Sequence, residues 1–281
     1  MWTRFEPIHA VTYFAPEARE HFEAAGLRGF WRGYFAGRAA PLGDVDAAPV
    51  VASFFSFAPS MVERALPDVW QRATPKETLD ARLAGAVAAL RRLWADIDES
   101  ILVPIGDRLE EACAQLDYRG RTIGAANAVL PWPAGAVARV WQATTVLREH
   151  RGDGHVMAAS RAGLDGCEVL VWRAALDLRR DHLQPNRGWT DEEWDAAQRR
   201  LVDRGWLDDA GNTTALGTEQ WTDVEAATDR DAAGPWQALG GETTRLADRL
   251  TPLARAAAAA IPAMNPIGLP GQVSGTTDER D

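Results

Sequence analysis

The 281 residues are 46% hydrophobic, 25% charged and 8% aromatic, proportions of an ordinary globular chain that exclude wholesale disorder, collagen-like repeats and a disulfide scaffold. The formal charge of −10, from 30 basic and 40 acidic residues, opposes diffuse attraction to nucleic acid or anionic lipid. A phosphate backbone would have to meet a local basic patch.

Lys76 is the single lysine beside 29 arginines, and there are 51 alanines. That bias is typical of a high-GC genome, and the alanine favours helix. Cys113 and Cys167 lie far apart with no metal-type spacing, as reduced thiols of a cytoplasmic protein would. The opening residues lack a signal pattern, and no apolar run reaches the ~18 residues of a membrane span. A soluble protein without membrane contact is expected.

Apolar and charged residues alternate at helical spacing over 12–26, with Pro16 early and Gly26 as the stop. The next stretch carries Phe30, Trp31, Tyr34 and Phe35 interleaved with Arg28, Arg32 and Arg38. Residues 50–57 are almost wholly apolar and fit a buried helix or a strand equally well. Thr74, Pro75 and Glu77 supply an N-cap, a first-turn proline and a capping-box glutamate. Leu79, Leu83, Val87, Leu90 and Trp94 follow as one apolar stripe. Residues 105–117 allow another helix. The break at Pro131, Trp132, Pro133 and Gly135 predicts a boundary, giving a helical, aromatic- and arginine-rich domain over 1–133.

Residues 136–150 predict an amphipathic helix ended by Gly152 and Gly154, then a short helical stretch over 155–162. Asp165 and Glu168 form a second capping box, opening a helix to about Arg180. Thr190 and Glu193 form a third, with Trp189 and Trp194 as a hydrophobic staple and Gly205 as the stop. Residues 206–217 then read as strand, tight turn and strand, a wing, followed by a helix from Thr218 through Val224. The second domain is placed at 134–261 and a disordered tail at 262–281.

This order resembles a winged helix-turn-helix of the MarR-like kind, with Arg204-Gly205-Trp206-Leu207 and Gly211-Asn212-Thr213-Thr214 as the turn into the wing. The chain from about residue 5 to 255 more closely resembles an actinobacterial helix-turn-helix family of unassigned function. The resemblance rests on Pro7-Ile8-His9-Ala10-Val11-Thr12-Tyr13-Phe14, Gly37-Arg38-Ala39-Ala40-Pro41-Leu42-Gly43, Arg148-Glu149-His150-Arg151-Gly152-Asp153-Gly154-His155 and Arg187-Gly188-Trp189-Thr190. It implies a mainly helical fold and no reaction. Ala25-Gly26-Leu27-Arg28-Gly29 echoes Ala162-Gly163-Leu164-Asp165-Gly166, which raises a diverged tandem duplication as an option.

A DNA-reading winged helix brings positive charge to phosphates. Here the recognition helix opens Asp191, Glu192, Glu193, and residues 186–235 hold twelve acids against five arginines, or −7 of the total −10. Nucleic acid is therefore not the expected partner, and the fold is read as a scaffold that has lost DNA binding. The leading expectation is a small-molecule binding protein holding a flat, apolar or aromatic, acidic ligand between its halves. His9, Tyr13, Trp31, Tyr34, Arg38, Phe54, Arg148, His150 and His155 are its candidate contacts. A ligand-responsive DNA-binding regulator and a haem- or metal-assisted enzyme without a recognisable motif are the alternatives. Haem or another flat chromophore is a candidate cofactor, no metal site is assigned, and a homodimer stays open.

Overall fold

The computed structural model describes residues 1–265, and the tail read from Pro262 lies mostly outside the described residues. The first half comprises α1 (Trp2–Phe14), α2 (Pro16–Ala24), α3 (Phe30–Ala39), α4 (Ala47–Phe54), α5 (Pro59–Glu63), α6 (Pro75–Leu93), α7 (Leu102–Ala114) and α8 (Thr122–Ala128). The second comprises α9 (Ala136–Arg161), α10 (Gly166–Leu176), α11 (Arg180–Arg187), α12 (Asp191–Asp203), α13 (Ala215–Asp231), α14 (Gly234–Leu239) and α15 (Glu242–Ala258). No helix among the described residues is long and apolar enough to cross a membrane.

Local signals explain most of the boundaries. The capping boxes at Thr74, Asp165 and Thr190 all form, each with the glutamate three residues on. The helix expected over 12–26 is instead two. Ala15, preceding a proline, is extended (φ −68°, ψ 139°), and Pro16 opens α2. Residues 47–54 resolve as helix.

The largest departure is α9. Gly152 and Gly154 do not end it; the helix runs unbroken for 26 residues. Glycine inside a helix costs about 1 kcal/mol against alanine, and the reason for Gly154 is tertiary. The Arg121 guanidinium crosses the helix so closely that a Cβ at 154 would lie 1.9 Å from Nη1. At Gly124 of α8 a Cβ would meet the His150 backbone at 2.8 Å. These glycines let α8 and its leading loop lie against α9.

The core has three apolar clusters. In the first, Trp141 and Val146 of α9 are surrounded by Phe5, Ile8 and Val11 of α1 and by Leu246, Leu250 and Leu253 of α15, so residues from both ends of the chain share one core. The second is the aromatic group of α3 to α5, including Tyr34, Phe35, Phe54 and Phe57. The third packs α10, α12 and α13 around Trp172, Trp194 and Trp206.

Helices α10, α11 and α12 form the helical trio of the second half, with Gly188 (φ 78°) as the left-handed cap of α11. The expected wing is smaller than two strands. Among the described residues it is a tight hairpin with one antiparallel bridge, Leu207 to Thr213. Asp208 N–H donates to the Asn212 carbonyl at 2.9 Å and Thr214 N–H to that of Trp206 at 3.0 Å. Thr214 already caps α13 by accepting from Gly217 N–H, which leaves no residues for longer strands.

Gly166, the first residue of α10, packs against the end of α4: a Cβ there would lie 1.9 Å from the Phe55 carbonyl oxygen. Gly→Ala at an unstrained helical position raises stability by about 0.5–1 kcal/mol. Gly166→Ala is expected to reverse that sign and lower stability by about 2 kcal/mol, read as a fall in the urea midpoint with an unchanged slope.

Candidate functional site

A cleft of about 680 Å³ lies where the two halves meet. One wall is the end of α4 and the turn after it. Phe55 there has φ 46° and ψ −60°, and Ser56 N–H donates back to the Phe54 carbonyl at 2.5 Å. This is a γ-turn with a positive φ, a conformation costing on the order of 1–3 kcal/mol that persists only when its surroundings dictate it. Those surroundings belong to the second half. Trp189 Nε1 donates to the Ser56 carbonyl at 3.0 Å, Ala58 N–H donates to the Arg187 carbonyl at 2.9 Å, and Gly166 leaves room for the Phe55 carbonyl.

The floor is an ion network. Glu149 is 2% exposed and accepts from Arg38 through Nε (3.0 Å) and Nη2 (2.9 Å). Arg148 Nη1 donates to the same carboxylate at 2.8 Å, and its Nε reaches Glu6 at 3.4 Å. Trp2 Nε1 donates to the other Glu6 oxygen at 3.0 Å. Burial alone would raise the Glu149 pKa, but Arg148 and Arg38 hold it far below the usual carboxylate range.

Four arginines of the cleft each lie over an aromatic ring that also lines it. Arg38 sits 4.0 Å from the Phe54 centroid, Arg187 4.6 Å from Phe57, Arg151 4.9 Å from Trp2 and Arg173 5.6 Å from Trp221. Cation–π attraction holds each guanidinium against its ring, and Arg38 already places its N–H donors on Glu149 and Tyr34. Arg173 is also paired with Asp177 (2.8 and 3.0 Å), and Arg151 with Glu225 and Asp229.

Two titratable groups complete the lining. His155 turns Nδ1 toward Glu225 at 3.3 Å, and burial pushes its pKa below the ordinary value. Asp153 accepts from Gly124 N–H at 2.8 Å; burial pushes its carboxyl up to about 6.

The sequence candidates divide. Tyr34, Arg38, Phe54, Arg148 and His155 line the cleft. His9 and Tyr13 lie behind the Arg38–Glu149 pair, where His9 Nε2 meets the Tyr13 hydroxyl at 2.8 Å and Nδ1 meets Thr145 at 3.0 Å. Trp31 stands edge-on to Tyr34 and Phe57 and supports the aromatic wall. His150 faces another way, with Nε2 on the Asp117 carbonyl at 2.9 Å. Trp2, Arg173, Arg187 and Trp221 also line the cleft and carry no site signal in the sequence, while Arg151 lies within the 148–155 segment that the sequence singles out. Arg148, Arg151 and His155 stand at i, i+3 and i+7, a single helix face, and would have been legible had α9 been read through its glycines.

Away from the cleft lining, Asp191, Glu192, Glu193 and Asp195 of α12 are exposed. Arg180 is bound by Asp191 (2.8 Å) and Asp195 (2.7 Å), and Arg200 by Asp165 and Glu168.

Opposite pH behaviour is expected of the two buried carboxyls. Glu149→Gln leaves Arg38 and Arg148 buried without their counter-charge and should cost about 3–5 kcal/mol at pH 7. Asp153 has a folded pKa raised to about 6 against about 3.9 unfolded, so its ionised form weakens the fold above pH 6 and its protonation restores stability as pH falls toward 4. Asp153→Asn should therefore stabilise at pH 7–8 and lose that advantage near pH 4, as urea unfolding across this range will show.

The model of a helix-turn-helix family matches residues 1–264, and the chain belongs to that family. No curated protein and no solved structure matches it.

Proposed function

We propose that this helix-turn-helix family member is a small-molecule binding protein that holds a planar, largely apolar organic anion in the cleft between its halves. The four arginines stacked on cleft-lining rings carry the reading. A stacked guanidinium offers a flat apolar face beside a row of in-plane donors, which suits a ligand with an aromatic body and a carboxylate. Five guanidinium groups face the cleft against four carboxyl groups, those of Glu6, Asp153, Asp177 and Glu225. Asp177 and Glu225 occupy arginine edges that a ligand carboxylate can take over.

In this reading α10, α11, α12 and the hairpin are a MarR-like winged-helix scaffold, of actinobacterial type, retained for packing. The acids of α12 face outward where a DNA reader places donors, and Arg180 and Arg200 are engaged by carboxylates. Each exposed acid would repel phosphate instead of releasing a counterion. A ligand-responsive regulator is the second reading. It draws on Leu183 and Arg187 of α11, which line the cleft, so that a ligand there touches the helix preceding α12.

The test is tryptophan fluorescence with a panel of aromatic carboxylates, since Trp2 and Trp221 border the cleft. A binding ligand should quench it, and Arg173→Ala should weaken that ligand by about tenfold or more, about 1.4 kcal/mol. Trp31→Phe should leave the affinity within about twofold, about 0.4 kcal/mol. Binding that ignores Arg173→Ala sinks the cleft as the site. A salt-sensitive DNA shift at ~100 mM salt would favour the regulator instead.

A further inference from the structure

Behind the Arg38–Glu149 pair lies a second, small cavity, with about 10 Å³ of room for the centre of a water-sized sphere. This is the least room that holds one water, and a halide ion, somewhat larger, requires the flexible side chains that border the cavity to give slightly. Thr12, Tyr13, Gly37, Arg38, Arg82 and Glu149 border it. Arg82, on α6, is 5% exposed. Its Nη1 donates to the Gly37 carbonyl at 2.9 Å and its Nη2 to Asn127 Oδ1 at 3.1 Å, both neutral acceptors, while its face lies 5.4 Å from the Trp141 ring centre. Its Nε has no acceptor, and the Thr12 hydroxyl, on a residue 4% exposed, has no partner either.

The neighbouring groups do not absorb this charge. Thr145 Oγ1 donates to the Trp141 carbonyl at 3.0 Å, so it accepts from His9 Nδ1–H. His9 Nε2 then accepts a hydrogen bond from the Tyr13 hydroxyl. His9 is neutral because burial drives its pKa well down. Arg38 and Arg148 are matched by Glu149 and Glu6. Arg82 remains without a salt bridge of its own, because Glu149, which borders the cavity with it, is held by Arg38 and Arg148, and an incompletely matched buried charge is costly.

We propose that this cavity is a binding site for one small monovalent anion of the halide type, held by Arg82 Nε–H and the Thr12 hydroxyl. A water would satisfy both donors but leave the charge unmatched. Arg38 borders both this cavity and the cleft, so the ion backs the cleft floor. The site stands whether or not the cleft binds an organic anion.

Thermal unfolding of the full chain in sodium chloride or bromide, against sodium gluconate at matched ionic strength, tests it. The halides should raise the melting temperature along a saturating curve, whereas general salt effects grow without saturation. Bromide-soaked crystals should show an anomalous peak in contact with Arg82 Nε and Thr12 Oγ1. Thr12→Val, which removes one donor at equal volume, should abolish the halide increment. Should that variant not fold, the wild-type titration and peak still decide. A peak without anomalous signal, an empty cavity, or equal melting in halide and gluconate overturns the proposal. So does an anomalous peak with no effect on melting, which marks an adventitious ion only.

Discussion

The buried carboxylate of Glu149 holds the rest of the arrangement in place. A charge 2% exposed is tolerated only with well-placed partners, and Glu149 has a bidentate one from α3 and a second from its own helix. The distance of α3 from α9 is thereby set to the reach of one arginine. With α3 come the aromatic second cluster and, through Phe54 beneath Arg38, the end of α4. The cleft exists because that wall is drawn to α9 by charge while its far edge is pinned to α10 and α11 by Gly166, Trp189 and Arg187.

What the sequence made legible was local. A capping box needs four consecutive residues, and those at Thr74, Asp165 and Thr190 could be read without knowing what lay nearby. Gly154 of α9 carried the wrong local message because its reason was Arg121, some thirty positions away in the chain. The γ-turn at Phe55 left no trace at all, since phenylalanine has no preference for positive φ and the conformation is imposed from outside. The candidate residues fared likewise. Arg38 and Arg148 stood out through their company, whereas Arg173 reads as one end of a surface i,i+4 pair with Asp177 and only the fold turns it toward a cleft.

The family assignment and the charge distribution answer different questions. Membership fixes a helix-turn-helix ancestry over nearly the whole chain, yet function resides in the groups a fold presents. The face of α12 presents carboxylates, two of them, Asp191 and Asp195, paired with Arg180 of the same module. Four arginines set against aromatic rings lie instead at the cleft.

The strained peptide at Phe55 has one more consequence. Its geometry is dictated by contacts from α10, α11 and Trp189, so the wall it forms is a joint product of distant stretches of chain. An isolated first half would let residues 54–56 relax to an ordinary backbone and would carry every aromatic of that wall without its shape. The wall is thus indivisible: it arises when the chain closes on itself, and no fragment inherits it.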